Sequence, residues 1–162
     1  MSKRLTNKWT ATTTEAFGDN EQTRKGNLAE LMYYKYAIPL YDQVQHFPSD
    51  RQKQLQGADI VLYQNHWSRP YTVDVKANMM NRGLFFVDTS PDGWLFNPRK
   101  TNDRVCHVCV ETAWAIEYDA NEMRKFIRKQ KAKGPLIAFD AFKTKFPFKV
   151  RKFKMENVNA QA

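Results

Sequence analysis

Tyr71-Thr72-Val73-Asp74-Val75-Lys76-Ala77 alternates along its length: Val73, Val75 and Ala77 are interleaved with Thr72, Asp74 and Lys76. A period of two marks a half-buried strand, because successive side chains leave a strand on opposite faces. One face here is apolar. The other carries an acid and a lysine two residues apart, pointing the same way. Such a pair is either an ordinary ion pair or half of a metal-dependent phosphodiesterase site, and the flanking sequence bears on the choice.

Immediately upstream, Ile60-Val61-Leu62-Tyr63 is a short apolar strand headed by Gly57-Ala58-Asp59, and residues 64–70 form the loop between the two strands. Neighbouring strands with a short connection favour an antiparallel hairpin. That pairing would bring Asp59 and Asp74 to one point. Further upstream, residues 21–37 are expected to be a helix, with Leu28, Leu31, Met32 and Tyr36 as its apolar stripe and Pro39 marking its end. Glu30 sits among Leu28, Ala29, Leu31, Met32, Tyr33 and Tyr34. It therefore reads as an inward-facing carboxylate. Residues 38–47 are expected to form a strand, closed by a turn at Pro48-Ser49-Asp50.

Downstream, residues 84–87 read as a strand and Ser90-Pro91-Asp92-Gly93 as a turn, with Trp94-Leu95-Phe96 continuing the strand beyond it. Residues 105–110 and 113–118 supply two more strands. Asp119 and Glu122 form a capping box for a second helix, whose buried stripe is Met123, Phe126 and Ile127 and whose stop is Gly134-Pro135. The C-terminal stretch mixes phenylalanines with lysines and arginines, and part of it is expected to be an edge strand. The fold class is α/β (α+β), a mixed sheet flanked by helices. Residues 21–162 are expected to be one domain, preceded by a flexible basic arm, residues 1–20, carrying Lys3, Arg4, Lys8 and Trp9.

At 162 residues the chain is long enough for one sizeable core, and 42% hydrophobic residues argue against wholesale disorder. A net charge of +9 points to a polyanionic partner, nucleic acid first and an anionic membrane surface second. No apolar run approaches membrane-span length, and the first residues lack a signal-peptide core. Two cysteines are too few for a disulfide framework and fit a reducing compartment. A cytoplasmic, non-membrane protein is the expectation.

An acid-x-Lys triplet alone is weak evidence. Here it is preceded by a helical glutamate and a strand-initial aspartate, and the order Glu30, Asp59, Asp74-x-Lys76 is more specific than any part. That order resembles the PD-(D/E)XK nuclease superfamily, and Lys25-Gly26 ahead of Glu30 is similar to its small Holliday-junction resolvases. The resemblance covers residues 25–77. It implies a restriction-endonuclease-like core, with Asp59 and Asp74 binding a divalent metal, Glu30 completing the metal site, and Lys76 serving the attacking water. Two departures stand out: Asn78 and Asn81, not a glutamine, follow Lys76, and two cysteines cannot build a four-cysteine iron–sulfur site. Both favour a resolvase-like or restriction-like endonuclease over the exonuclease branch.

The chemistry can also be stated without the family. Phosphodiester hydrolysis needs a hard cation to offset developing charge and acidify bound water, and magnesium takes oxygen ligands. Asp59, Asp74 and the Val75 carbonyl offer such a set, with Mg2+ as the expected ion and Mn2+ as its substitute. Lys25, Arg124, Lys125, Arg128, Lys129, Lys149 and Arg151 are the candidate phosphate contacts, and the tail phenylalanines either stack on unpaired bases or fill a core. Cys106-His107-Val108-Cys109 could hold zinc with His46, His66 or Asp103, although strand alternation sends the two cysteines to opposite faces. A histidine in the 64–70 loop is a weaker candidate to approach the metal site. The leading expectation is a Mg2+-dependent DNA endonuclease acting on branched DNA as a homodimer. The alternatives are a restriction-type or nicking endonuclease, a non-catalytic nucleic-acid-binding protein, and a purely structural ion pair.

Overall fold

A computed structural model describes residues 21–47, 57–130 and 135–156. The expected N-terminal arm, the turn at Pro48-Ser49-Asp50 and the helix stop at Gly134 lie outside the described residues. Helix α1 (Glu21–Ala37) buries Ala29, Met32, Tyr33 and Ala37, positions that recur at helical spacing along one side. Its end differs from expectation. Leu40 and Tyr41 donate backbone hydrogen bonds to the Ala37 carbonyl (2.9 and 3.2 Å), so residues 38–42 finish the helix in turns. Ile38 and Leu40 are left exposed, and strand β1 is only Gln43–His46.

Strands β2 (Ile60–Tyr63) and β3 (Tyr71–Lys76) form the antiparallel hairpin, registered Ile60 to Val73 and Leu62 to Tyr71. Strand β1 pairs antiparallel on the far side of β2. After β4 (Leu84–Asp88), strand β5 (Arg104–Val108) lies parallel to β3, with Asp74 opposite Val105. Strand β6 (Trp114–Asp119) pairs antiparallel with β5 and leads directly into helix α2 (Ala120–Gln130). Asp119 caps that helix by accepting the Glu122 N–H at 3.0 Å. Strand β7 (Leu136–Asp140) pairs with β4 in a separate two-stranded sheet, while β8 (Val150–Lys154) completes the edge of the main sheet against β6. The main sheet runs β1-β2-β3-β5-β6-β8.

Two cores lie on the two faces of this sheet. On one, Ile60, Leu62, Val73, Val75, Cys106 and Val108 meet α1. On the other, Val105, Ile116 and Tyr118 meet Met123 and Ile127 of α2 and Phe85 and Val87 of β4. Full enclosure of a side chain such as Ile60 or Leu62 contributes about 1.5–3 kcal/mol. Cys106 and Cys109 fall in different cores, as strand alternation requires. Trp94-Leu95-Phe96 does not continue a strand. Gly93 donates to the Ser90 carbonyl and Asn97 to the Gly93 carbonyl, coiling the segment so that Leu95 plugs the second core.

Candidate active site

The hairpin register sets the site. Asp59 precedes β2, its N–H donates to the Val73 carbonyl at 3.1 Å, and the ladder thereby places it beside Asp74 on the central strand β3. Both are buried, at 8% and 3% exposure. Asp59 accepts the Val75 N–H at 2.9 Å through Oδ2. Lys76 Nζ lies 3.3 Å from Asp74 Oδ1, on the same strand face, as a two-residue spacing dictates. Asp74 Oδ2 is buried and has no hydrogen-bond partner among the described residues. A buried carboxylate oxygen without a donor is costly.

The electrostatics follow from that crowding. Burial pushes the Asp59 carboxyl up to about 8, helped by the charges of Asp74 and Glu30. The crowding favours a proton held by the carboxyl pair near neutral pH. Glu30 reaches in from α1 and binds His46 Nε2 of β1 at 3.0 Å. Burial raises its pKa despite the histidine, and the charges of Asp74 and Lys76 also act on it. The three acids therefore sense one another, with Asp59 and Asp74 adjacent and Glu30 engaged by His46.

Sequence reasoning assigns neither of two further residues to this cluster, naming His46 only as a candidate zinc ligand. His46 ends β1 opposite Ile60, one residue from Asp59, and only the β1–β2 pairing reveals it. Lys100 comes from the loop before β5. Burial lowers its pKa, with Lys76 acting in the same direction and the charges of Asp74 and Asp59 opposing it. No local pattern marks that lysine. His66 does not approach the site: its loop closes the hairpin between Tyr63 and Tyr71, the end away from Asp59, where it meets Trp67. His107 is enclosed between Asn78 Oδ1 (2.5 Å) and the Tyr118 hydroxyl (2.7 Å), and burial lowers its pKa to about 3.

The candidate phosphate contacts divide into two groups. Arg151 binds buried Glu117 at 2.6 Å and the Tyr36 hydroxyl at 2.8 Å, and Glu117 also accepts the Tyr33 hydroxyl. Arg124 donates to the Leu95 carbonyl and to Asn121 Oδ1, both at 2.6 Å. These two arginines are held within the structure. Lys25 pairs with Glu111 at 3.2 Å and Lys125 with Glu122 at 3.6 Å, both on the surface. Exposed pairs of this kind contribute about 0–1 kcal/mol and exchange readily for a phosphate. Arg128 lies over the Phe96 ring, and Lys129 and Lys149 are exposed.

Among the described residues no group of three or more His, Cys, Asp or Glu side chains is arranged to hold a metal ion, and no helix is long and apolar enough to cross a membrane. Comparison with known proteins finds no matching family model, no matching curated protein and no matching solved structure.

Proposed function

We propose that this chain is a Mg2+-dependent endonuclease that hydrolyses phosphodiester bonds in branched DNA. The observation that carries the reading is the buried Asp59–Asp74 pair, with Asp74 Oδ2 unsatisfied and Lys76 at its side. Further support comes from the order of elements. A helix bearing Glu30 precedes a three-stranded meander bearing Asp59 and Asp74-x-Lys76, and a later strand lies parallel to the last of them. That order suits a restriction-endonuclease-like core.

The donor set fits a hard cation: two adjacent carboxylates, one with a free lone-pair oxygen, and no sulfur or imidazole between them. Asp59, Asp74 and the Val75 carbonyl would hold Mg2+ (or Mn2+), with Glu30 completing the site from the helix side. Bound there, the ion supplies charge neutralisation and a more acidic water. The chain's own residues do the rest. Asp74 anchors Lys76, whose ammonium orients the attacking water and offsets charge on the phosphate. His46 fixes the Glu30 carboxylate against the cluster. The Val75 N–H fixes Asp59. A cytoplasmic homodimer suits the task, because two strands require two related sites.

A non-catalytic nucleic-acid-binding role is the second reading, favoured by the lack of a preformed three-ligand group among the described residues. Incubating the protein with four-way junction, duplex and single-stranded DNA, with magnesium or with chelator, separates the two. Magnesium-dependent cutting of the junction, lost in Asp74→Ala and Lys76→Ala, is the expected result. Binding without cutting under any divalent metal sinks the endonuclease reading, and fixed-sequence cutting of duplex moves it to a restriction-type enzyme.

A further inference from the structure

The chain leaving β3 turns back on itself within a few residues of Lys76. Met79 donates its N–H to the Val108 carbonyl at 3.3 Å and bridges Phe85 of β4. Residues 80–83 between them make a tight turn. Its bonds are Met80 N–H to the Leu84 carbonyl at 2.7 Å and Gly83 N–H to the Met80 carbonyl at 2.8 Å. Gly83 has φ +93°, and a Cβ there would stand 2.6 Å from the Phe142 ring, so both the bend and the ring against it require glycine. Three outside bonds brace the turn. Asn78 Nδ2 donates to the Phe86 carbonyl at 2.9 Å, the Cys109 thiol to Asn81 Oδ1 at 3.3 Å, and Ala141 N–H to the Gly83 carbonyl at 2.8 Å.

This braced turn presents apolar surface to solvent. Met80 is 54% exposed, Phe142 beside Gly83 is 49% exposed, and Leu84 is 36% exposed. Single exposed apolar side chains are ordinary, whereas three gathered at one rigid turn mark a contact surface. Beside the turn lies a cavity of about 590 Å3, lined by Met80, Leu84 and Phe86 and by two cations, Lys25 and Arg82. Glu111, the acid that also lines it, is paired with Lys25. Ala77 lines it as well, so the cavity begins where the chain leaves Lys76. Four residues separate Met80 from Lys76, a span of at most about 14 Å, or about four base steps. An apolar side chain among cations matches a base stack flanked by phosphates.

We propose that Met80 is a wedge that inserts against the open base stack at a DNA branch point, with Lys25 and Arg82 meeting the flanking phosphates. Forcing an apolar side chain into continuous duplex costs the unstacking of a base step. At a branch the stack is already interrupted, so the wedge favours branched over linear DNA. The inference deepens the endonuclease reading and rests on it for the cutting, whereas insertion is measurable without cutting.

The test uses a four-way junction with a fluorescent adenine analogue, which brightens on unstacking, placed beside the branch or within an arm. Binding is followed with Ca2+ in place of Mg2+. Wild type raises the emission at the branch and not within the arm, Met80→Gln raises neither, and Met80→Phe restores the branch signal. Covering the exposed half of a methionine makes Met80→Gln bind the junction about 3- to 10-fold more weakly, with duplex affinity unchanged. Met80 is exposed, so urea unfolding of Met80→Gln matches wild type. A Met80→Gln protein that keeps both the branch signal and the junction affinity overturns the proposal. So does a wild type without the branch signal whose self-association is lost in Met80→Gln, which gives the turn to a second copy of the chain. A wild type that shows the signal but never cuts with Mg2+ ends the endonuclease reading and leaves the wedge standing, and one that cuts without the signal does the reverse.

Discussion

Replacing Asp59 by Asn is predicted to stabilise the metal-free protein while abolishing the proposed cutting. The carboxyl is raised from its ordinary 3.8 to about 8 because it is buried and faces Asp74. An acid whose folded-state pKa lies above its unfolded value binds its proton preferentially in the folded state. Its contribution is therefore fully present below about pH 4 and is lost as pH rises towards 8. The limiting slope is ~1.4 kcal/mol per pH unit, and relaxation around the pair leaves on the order of 2–4 kcal/mol across the window. Asn cannot ionise. Its carbonyl can keep the Val75 N–H bond, and its amide puts a donor beside the Asp74 carboxylate that Asp59 faces. Urea unfolding in chelator at pH 5, 6, 7 and 8 should show wild type falling away from Asp59→Asn as pH rises, by on the order of 2–4 kcal/mol at pH 8. Added magnesium should close the gap by stabilising wild type alone. A gap that does not change with pH refutes the facing-carboxylate account.

Arg151→Met leaves Glu117 buried at 3% exposure without its cation, and should cost about 3–5 kcal/mol in urea unfolding. His107 is held neutral, with a folded pKa of about 3 against an ordinary 6.5, so its contribution is present above pH 6.5 and is lost as pH falls towards 3. His107→Gln, which can still bond Asn78 or Tyr118, should flatten the acid limb of a stability–pH curve; an unchanged limb would assign the acid sensitivity elsewhere. Changing exposed Lys125, Lys129 and Lys149 together to Gln should lower the salt slope of junction binding by up to about 2.7 with no loss of stability. An unchanged slope removes them from the DNA surface.

The local periodicities of this chain were informative where one strand or helix face meets one core. Val73 and Val75 gave β3, the run at Ile60 gave β2, and their short connection gave the pairing that sets Asp59 beside Asp74. Apolar residues misled where they serve other ends. Ile38 and Leu40 resemble strand residues but are exposed in the turns after α1, and Leu95 is a plug in a coiled segment. Contacts between distant segments leave no local trace. The pairing of β4 with β7 and the meeting of Glu30 with His46 both depend on chain assembly. Charge was ambiguous for the same reason: Arg124 and Arg151 share the basic composition of an outer face, yet they turn inward to a carbonyl and to a buried acid.

The central claim is that Asp59 and Asp74 together hold one divalent ion in place of a proton. Calorimetric titration of the protein with Mg2+ or Mn2+ near pH 7, repeated in buffers of different ionisation enthalpy, reads both the binding and the proton. The account predicts one site that releases close to one proton per ion, abolished in Asp74→Asn, with no proton release in Asp59→Asn. Binding that releases no proton, or that survives in Asp74→Asn, would contradict it.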